Sequence, residues 1–295
     1  MKVVFLDHQL ISQIRSHLTM RTTQGIQIAR TVDDEMYTLS SLPAILNPYL
    51  AKTEHIQDGM ASYLKEVKVL EKFYKKAHVA HEFLGNSELN LISSLPQTAL
   101  RRLNYCFPFI SYLHQCISQS TDAKNKDAIQ DEIFAHAAKF RIEGANPLII
   151  LAVAALYGHP LAKSVFAPKT KKKSACGSSF NTQTDFINIF LLPDFVAMYS
   201  KQVWHTSVSP IVINYTLLTP NEAYNELIAS LEISGQPQQM KNEDHQANCA
   251  FDINITVDLF PEIANDTQKM NKLVSSLIAP VLEPGQIDPN SVTSH

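Results

Sequence analysis

Three short segments of this 295-residue chain carry side chains able to support hydrolytic chemistry. Asp7 ends the apolar run Val3-Val4-Phe5-Leu6, and the chain turns polar at once with His8-Gln9. Asn181 and Asp185, in Phe180-Asn181-Thr182-Gln183-Thr184-Asp185, are spaced so that a helix would carry both on one face. Thr219, Asn221 and Glu222 follow the apolar pair Leu217-Leu218. Carboxylate, amide and hydroxyl oxygens are the ligands a hard cation such as Mg2+ or Mn2+ takes. Such an ion activates water and neutralises charge developing on a phosphodiester. Asp7 has an equally good structural role. Leu10, Ile11, Ile14 and Leu18 mark an amphipathic helix directly after it, and Asp is a strong N-cap. The sequence leaves both readings of Asp7 open.

Convergence of these segments requires strands that deliver them to one edge. Val3–Leu6 reads as a short buried strand, and Ile211–Leu218 is the best strand pattern in the chain. If the two are parallel neighbours, Asp7, Thr219 and Asn221 stand beyond their carboxyl ends, where open α/β sheets form binding crevices. Thr219-Pro220-Asn221-Glu222 then reads as a turn and N-cap, opening a helix through Tyr224, Leu227 and Leu231. Helix dominates elsewhere. Apolar positions from Ile56 to Leu84 recur at three- and four-residue steps, with a lysine-rich opposite face that reads as solvated. Further helices are expected over Gln97–Ser118, Lys126–Arg141 and the apolar Pro147–Tyr157, the last closed by Gly158. Helix resumes near Asn181, while Phe251–Phe260 alternates as a half-exposed strand does. Between them, Lys169–Ser179 is a basic loop in which Lys171 and Lys172 can touch a phosphate backbone or simply face solvent.

The segments resemble, in order and local character, those of the PIN-like nuclease superfamily. An apolar first strand ends in Asp (Val3 to Asp7). An aromatic-Asn-x-x-x-Asp helix start follows late in the chain (Phe180, Asn181, Asp185), then an apolar strand ending in Leu-Thr-x-Asn (Leu218, Thr219, Asn221). The resemblance covers roughly residues 1–20 and 145–260. It implies an α/β three-layer sandwich with a small, mainly parallel sheet, and a metal-dependent phosphodiesterase acting on RNA. Asp7, Asp185 and Asn221 would hold Mg2+ or Mn2+, Asn181 and Thr219 would shape the site, and Lys171 and Lys172 would meet substrate. It divides the chain into a core of residues 1–20 and 145–262, a helical elaboration over 21–144, and a C-terminal helix with a poorly ordered tail over 263–295. Two departures stand out. Asn221 occupies a position where the superfamily usually has an acid. The second family carboxylate, on an early helix, has no clear match; Glu35 and Glu143 are candidates. The alternative is a non-catalytic module whose helical region, residues 20 to 145, binds a protein partner while the α/β part serves as scaffold.

Composition narrows the field further. A net charge of −3 makes the molecule no polycation, so contact with RNA would need a local basic patch. Cys106, Cys116, Cys176 and Cys249 lack CxxC spacing and read as reduced thiols of a cytoplasmic protein. No apolar run nears the ~20 residues that span a bilayer, and the N-terminal run is too short for a secretory signal. His78 and His81, with Glu82 beside them, have helical spacing for a metal pair, but no HExxH is present. His8 can orient water or phosphate, or be a turn residue. There is no GxSxG elbow, Walker loop or GxGxxG. Trp204, Tyr199 and His205 can stack a base or pack internally.

Overall fold

The computed structural model describes residues 2–19, 25–44, 56–81, 106–118, 125–140, 142–166, 185–206, 212–237 and 249–278. Within the first of its two compact units, residues 1–110 and 169–256, lies one six-stranded sheet of order β3-β2-β1-β4-β5-β6. The strands are β1 (Lys2–Leu6), β2 (Tyr37–Ser40), β3 (His78–Val79), β4 (Ile213–Leu218), β5 (Ile233–Pro237) and β6 (Cys249–Ile253). β1 pairs in parallel with both β2 and β4, and β2 with β3; β5 and β6 add to the other edge antiparallel. The chain is therefore α/β with a mixed sheet.

β1 lies inside the sheet and is covered on both faces, which explains its unbroken apolar run: Val3, Val4, Phe5 and Leu6 are all fully buried. β4 alternates instead, with Ile213, Tyr215 and Leu217 buried and Asn214 exposed. On the connections, α1 (His8–Leu18) packs against α2 (Gly25–Arg30) and against α3 (Ile56–Phe73). Phe5 stacks on Tyr215 with ring centroids 5.7 Å apart, and meets Phe195 and Tyr199 of α7 (Leu192–Thr206). That helix lies close against β5: a Cβ on Gly235 would come within 2.8 Å of Ser200 Oγ, so glycine is required there.

The sheet takes β2 and β3 from the span that the sequence marks as helical elaboration. Both are short, and Leu39 is the one aliphatic side chain in Tyr37-Thr38-Leu39-Ser40, so neither leaves a periodic trace. The helix expected to reach Leu84 stops at Phe73. Asp33 Oδ1 accepts the backbone N–H groups of Lys75, Lys76 and Ala77 at 2.9, 2.8 and 3.2 Å, and this turn leads straight into β3. His78 is thus a strand residue, and His81 follows β3 and lies 3.2 Å from Glu71 Oε1; the pair does not share a helix face.

The second unit, residues 111–168 and 257–295, contains α4 (Lys126–Lys139), α5 (Pro147–Leu156), α6 (Pro160–Phe166) and, after a 3-10 turn at Val257–Leu259, α9 (Thr267–Ile278). The division falls inside the helix over 106–118. Residues 145–166 thus belong with this helical unit rather than with the sheet. An all-round apolar helix such as α5, every residue of it buried, announces that it is covered but not by what. Asn146 caps α5 by accepting from Leu148 N–H at 3.0 Å, and Gly158 leaves it at φ +97°, a conformation suited to glycine. The expected strand over 251–260 divides into β6 and the 3-10 turn. Cys106 and Cys116 are buried free thiols. Among the described residues no single helix is long and apolar enough to cross a membrane.

Candidate metal centre

Strand order places the ends of β2, β1 and β4 side by side, and the chain leaves β1 toward β2 while β4 returns on its other side. This is a topological switch point, the place at which open α/β sheets characteristically bind ligands beyond the carboxyl ends of their strands. Asp7 stands there. Its N–H donates to Leu218 O at 3.0 Å, fastening the ends of β1 and β4 together. The side chain is fully buried and serves as the N-cap of α1, Oδ1 accepting the Gln9 N–H at 2.7 Å. Its other oxygen accepts from Asn188 Nδ2 at 2.6 Å. Burial pushes the Asp7 carboxyl above its ordinary range, against the pull of Gln9 N–H, His8 and Asn188. The cap role is therefore real and occupies one oxygen only.

Asn188 lies on a helix over 185–190, three residues after Asp185 and so on the same face. Asp185 is 4% exposed. The helix also meets the one that follows β4, α8 (Glu222–Ala229): Phe186 packs edge-on to Tyr224 at 5.5 Å. The Tyr224 hydroxyl is held far above its ordinary range, first by burial and then by the charge of Asp185. The contact with Asp7 is made by Asn188, and Asp185 lies one helical turn before it on the same helix.

Thr219 is fully buried and builds the turn. Its Oγ1 accepts from Asn221 N–H at 3.0 Å, while Asn225 holds its backbone on both sides, accepting from Thr219 N–H at 2.8 Å and donating to Thr219 O at 2.9 Å. Asn221 occupies the N-cap of α8, yet its side chain makes no capping bond. Asn181, Lys171 and Lys172 lie outside the described residues, as does Glu82.

Glu35 does not reach this edge. Glu35 is exposed in the turn before β2, at the opposite end of the strand, and Glu143 is exposed in the second unit. The buried acid that the sequence reading missed is Glu66 of α3. It is 1% exposed, with Oε1 3.2 Å from His8 Nδ1 and 3.7 Å from an Arg15 guanidinium nitrogen. Contact with the Glu66 carboxylate raises the His8 imidazole above its ordinary value in spite of burial. Glu66 was concealed among Lys65, Lys68 and Lys72 on the face read as solvated. The signal was its place one residue before Val67 and four before Leu70, beside the apolar stripe. Asn188 was missed too, although a lone amide within Phe186-Ile187-Asn188-Ile189-Phe190 is conspicuous. Tyr199, a candidate base platform, is fully buried against Phe5 and Tyr215 and belongs to the core.

The fit of these residues to an ion turns on donor chemistry. Among the described residues, no three His, Cys, Asp or Glu side chains gather as a metal group. The donors available are the Asp7 carboxylate, the Asn188 amide bonded to it, and the Asp185 carboxylate one helical turn from Asn188. Of these, Asn188 Oδ1 is buried and has no hydrogen-bond partner among the described residues. An all-oxygen set of this kind fits Mg2+ or Mn2+. The chain matches no protein-family model, no curated protein sequence and no solved structure.

Proposed function

We propose that the chain is a divalent-metal-dependent ribonuclease of PIN-like type that hydrolyses RNA phosphodiester bonds at the Asp7 edge. The observation that carries this reading is the 2.6 Å bond from Asn188 to Asp7, which brings the Asp185 helix to the end of β1 at the switch point of the sheet. Asp7 and Asp185, with Asn221, would hold Mg2+ or Mn2+. When bound, that ion supplies an activated water and neutralises charge on the phosphate. The remaining roles fall to this chain's own groups. Thr219 and Asn225 fix the end of β4, and Glu66 orients His8 and Arg15. The last two are 38% and 47% exposed and present positive charge to an incoming phosphate. Lys171 and Lys172 would extend that contact along the RNA.

The test is Mn2+-dependent cleavage of single-stranded RNA by the wild type, Asp7→Asn and Asp185→Asn. Each variant should lose at least about a hundredfold, the upper end of what even an outer-sphere change costs a metal site. Equal activity in all three sinks the assignment. A second reading has its own observation: Asp7 is fully enclosed and both its oxygens accept hydrogen bonds, as in a scaffold whose site has closed. In that case the chain is a non-catalytic PIN-like module for a protein or RNA partner, and the wild type shows no Mn2+-dependent cleavage.

A further inference from the structure

We propose that Asn188 is a third oxygen ligand of the divalent ion, its side-chain carbonyl joining the carboxylates of Asp7 and Asp185; this rests on the ion reading of the site given above. The residue is 1% exposed and sits within an otherwise apolar stretch of helix. Its two amide ends are unequally served. Nδ2 donates to Asp7 Oδ2 at 2.6 Å, whereas Oδ1 has no donor among the described residues. A buried carbonyl oxygen with nothing to accept from is unfavourable, and such orphans call for a ligand or a water. The orphan is carried by the side chain that touches Asp7, one helical turn from Asp185. Among the described residues no third His, Cys, Asp or Glu forms a metal group with the two aspartates. Mg2+ and Mn2+ accept amide carbonyl oxygens alongside carboxylates, so a neutral donor here completes a set that the acids alone leave short.

The rival role for the same amide is a lock: its NH2 group occupies the Asp7 oxygen and keeps ions out. Titration of the full-length protein with Mn2+ alone, followed by the loss of the free-ion electron paramagnetic resonance signal, separates the two without recourse to activity. The expected result is that the wild type binds, Asn188→Leu binds at least about tenfold more weakly, and Asn188→Asp binds at least as tightly as the wild type. Asn188→Asp keeps an oxygen while removing the donor to Asp7, so a residue that acted only by orienting Asp7 would show weaker binding there. If the wild type binds and Asn188→Leu binds equally or more tightly, the ligand role is overturned while the ion reading stands. If the wild type does not bind Mn2+, the ion reading itself fails and takes this inference with it. Should Asn188→Leu prove unfolded by circular dichroism, Asn188→Asp decides: binding as tight as the wild type supports the role, and weaker binding overturns it.

Discussion

A carboxyl group buried as Asp7 is holds its proton more firmly in the folded chain than in the unfolded one. The stability consequence follows in sign. Below the unfolded value, near 3.8, both states are protonated and nothing is lost. As the pH rises past it the unfolded chain ionises first, and stability falls until the folded carboxyl ionises as well. Asp7→Asn keeps an oxygen for Gln9 N–H and caps as well as Asp. Without added metal it should melt higher than the wild type at pH 7, by roughly 2–4 °C for each 1 kcal/mol relieved, with the gap closing below about pH 4. Calorimetry across that range checks it. Replacing a purely structural aspartate would not raise stability while removing an activity, so the two measurements on one variant are diagnostic together. His8 runs the other way. Its raised value gives stability that is complete below the ordinary 6.5 and is lost as the pH climbs through the folded value. Glu66→Gln should bring the His8 titration midpoint, followed by proton NMR, down toward 6.5; an unmoved midpoint would refute the pairing. Asp7 and Asp185 stand out in the sequence as buried-site candidates because each interrupts or opens an apolar pattern. Glu66 does not, because a buried acid flanked by lysines has the same composition as a solvated one.

At the scale of elements, legibility followed length. β1, β4, α1, α4, α5 and α8 each carry enough residues for a pattern to show, as an unbroken apolar run, an alternation or a stripe, and each stands within two residues of where that pattern puts it. β2 and β3 contribute four and two residues, and parallel pairing with β1 rather than any local preference makes them strands. The overrun of α3 has the same origin: its apolar stripe continues through Tyr74, Ala77 and Ala80, but a long-range contact ends the helix. That contact is Asp33. Desolvation pushes its carboxyl up, yet the three N–H groups of residues 75–77 outweigh this and hold it below the ordinary carboxylate range. Asp33→Ala removes the acceptor of three backbone donors beside the β2–β3 pair, of which those of Lys75 and Lys76 are open to solvent. With water able to replace part of what is lost, it should cost about 0.5–1.5 kcal/mol at pH 7, the net range of an ordinary hydrogen bond, read by urea denaturation as a lower midpoint at unchanged slope. Since the native value is depressed, the contribution is present above the ordinary 3.8 and disappears as the pH falls through the folded value. A midpoint unaffected by the substitution would mean that the turn is fixed by something else.

At the scale of the whole molecule, charge sets the terms on which RNA can bind. A chain of net charge −3 attracts no polyanion as a body, so the proposed RNA binding would have to rest on a few local cations. Affinity for single-stranded RNA then falls with salt by about 0.7 in log–log slope for each phosphate neutralised. His8 and Arg15 lie at the site, and the basic run around Lys171 and Lys172 is a second local source of positive charge. If both lysines meet phosphates, the Lys171→Ala, Lys172→Ala double variant should bind RNA more weakly at low salt and show a slope shallower by about 1.4, two contacts at about 0.7 each. Fluorescence anisotropy of a labelled oligonucleotide, titrated between low and moderate salt with a divalent ion present, gives both slopes. The comparison of slopes is stricter than a comparison of affinities. A lysine that acts only through folding or solubility changes the amount of competent protein and leaves the salt dependence of the remainder where it was. An unchanged slope would therefore remove Lys171 and Lys172 from the RNA contact while leaving the carboxylate edge of the sheet untouched.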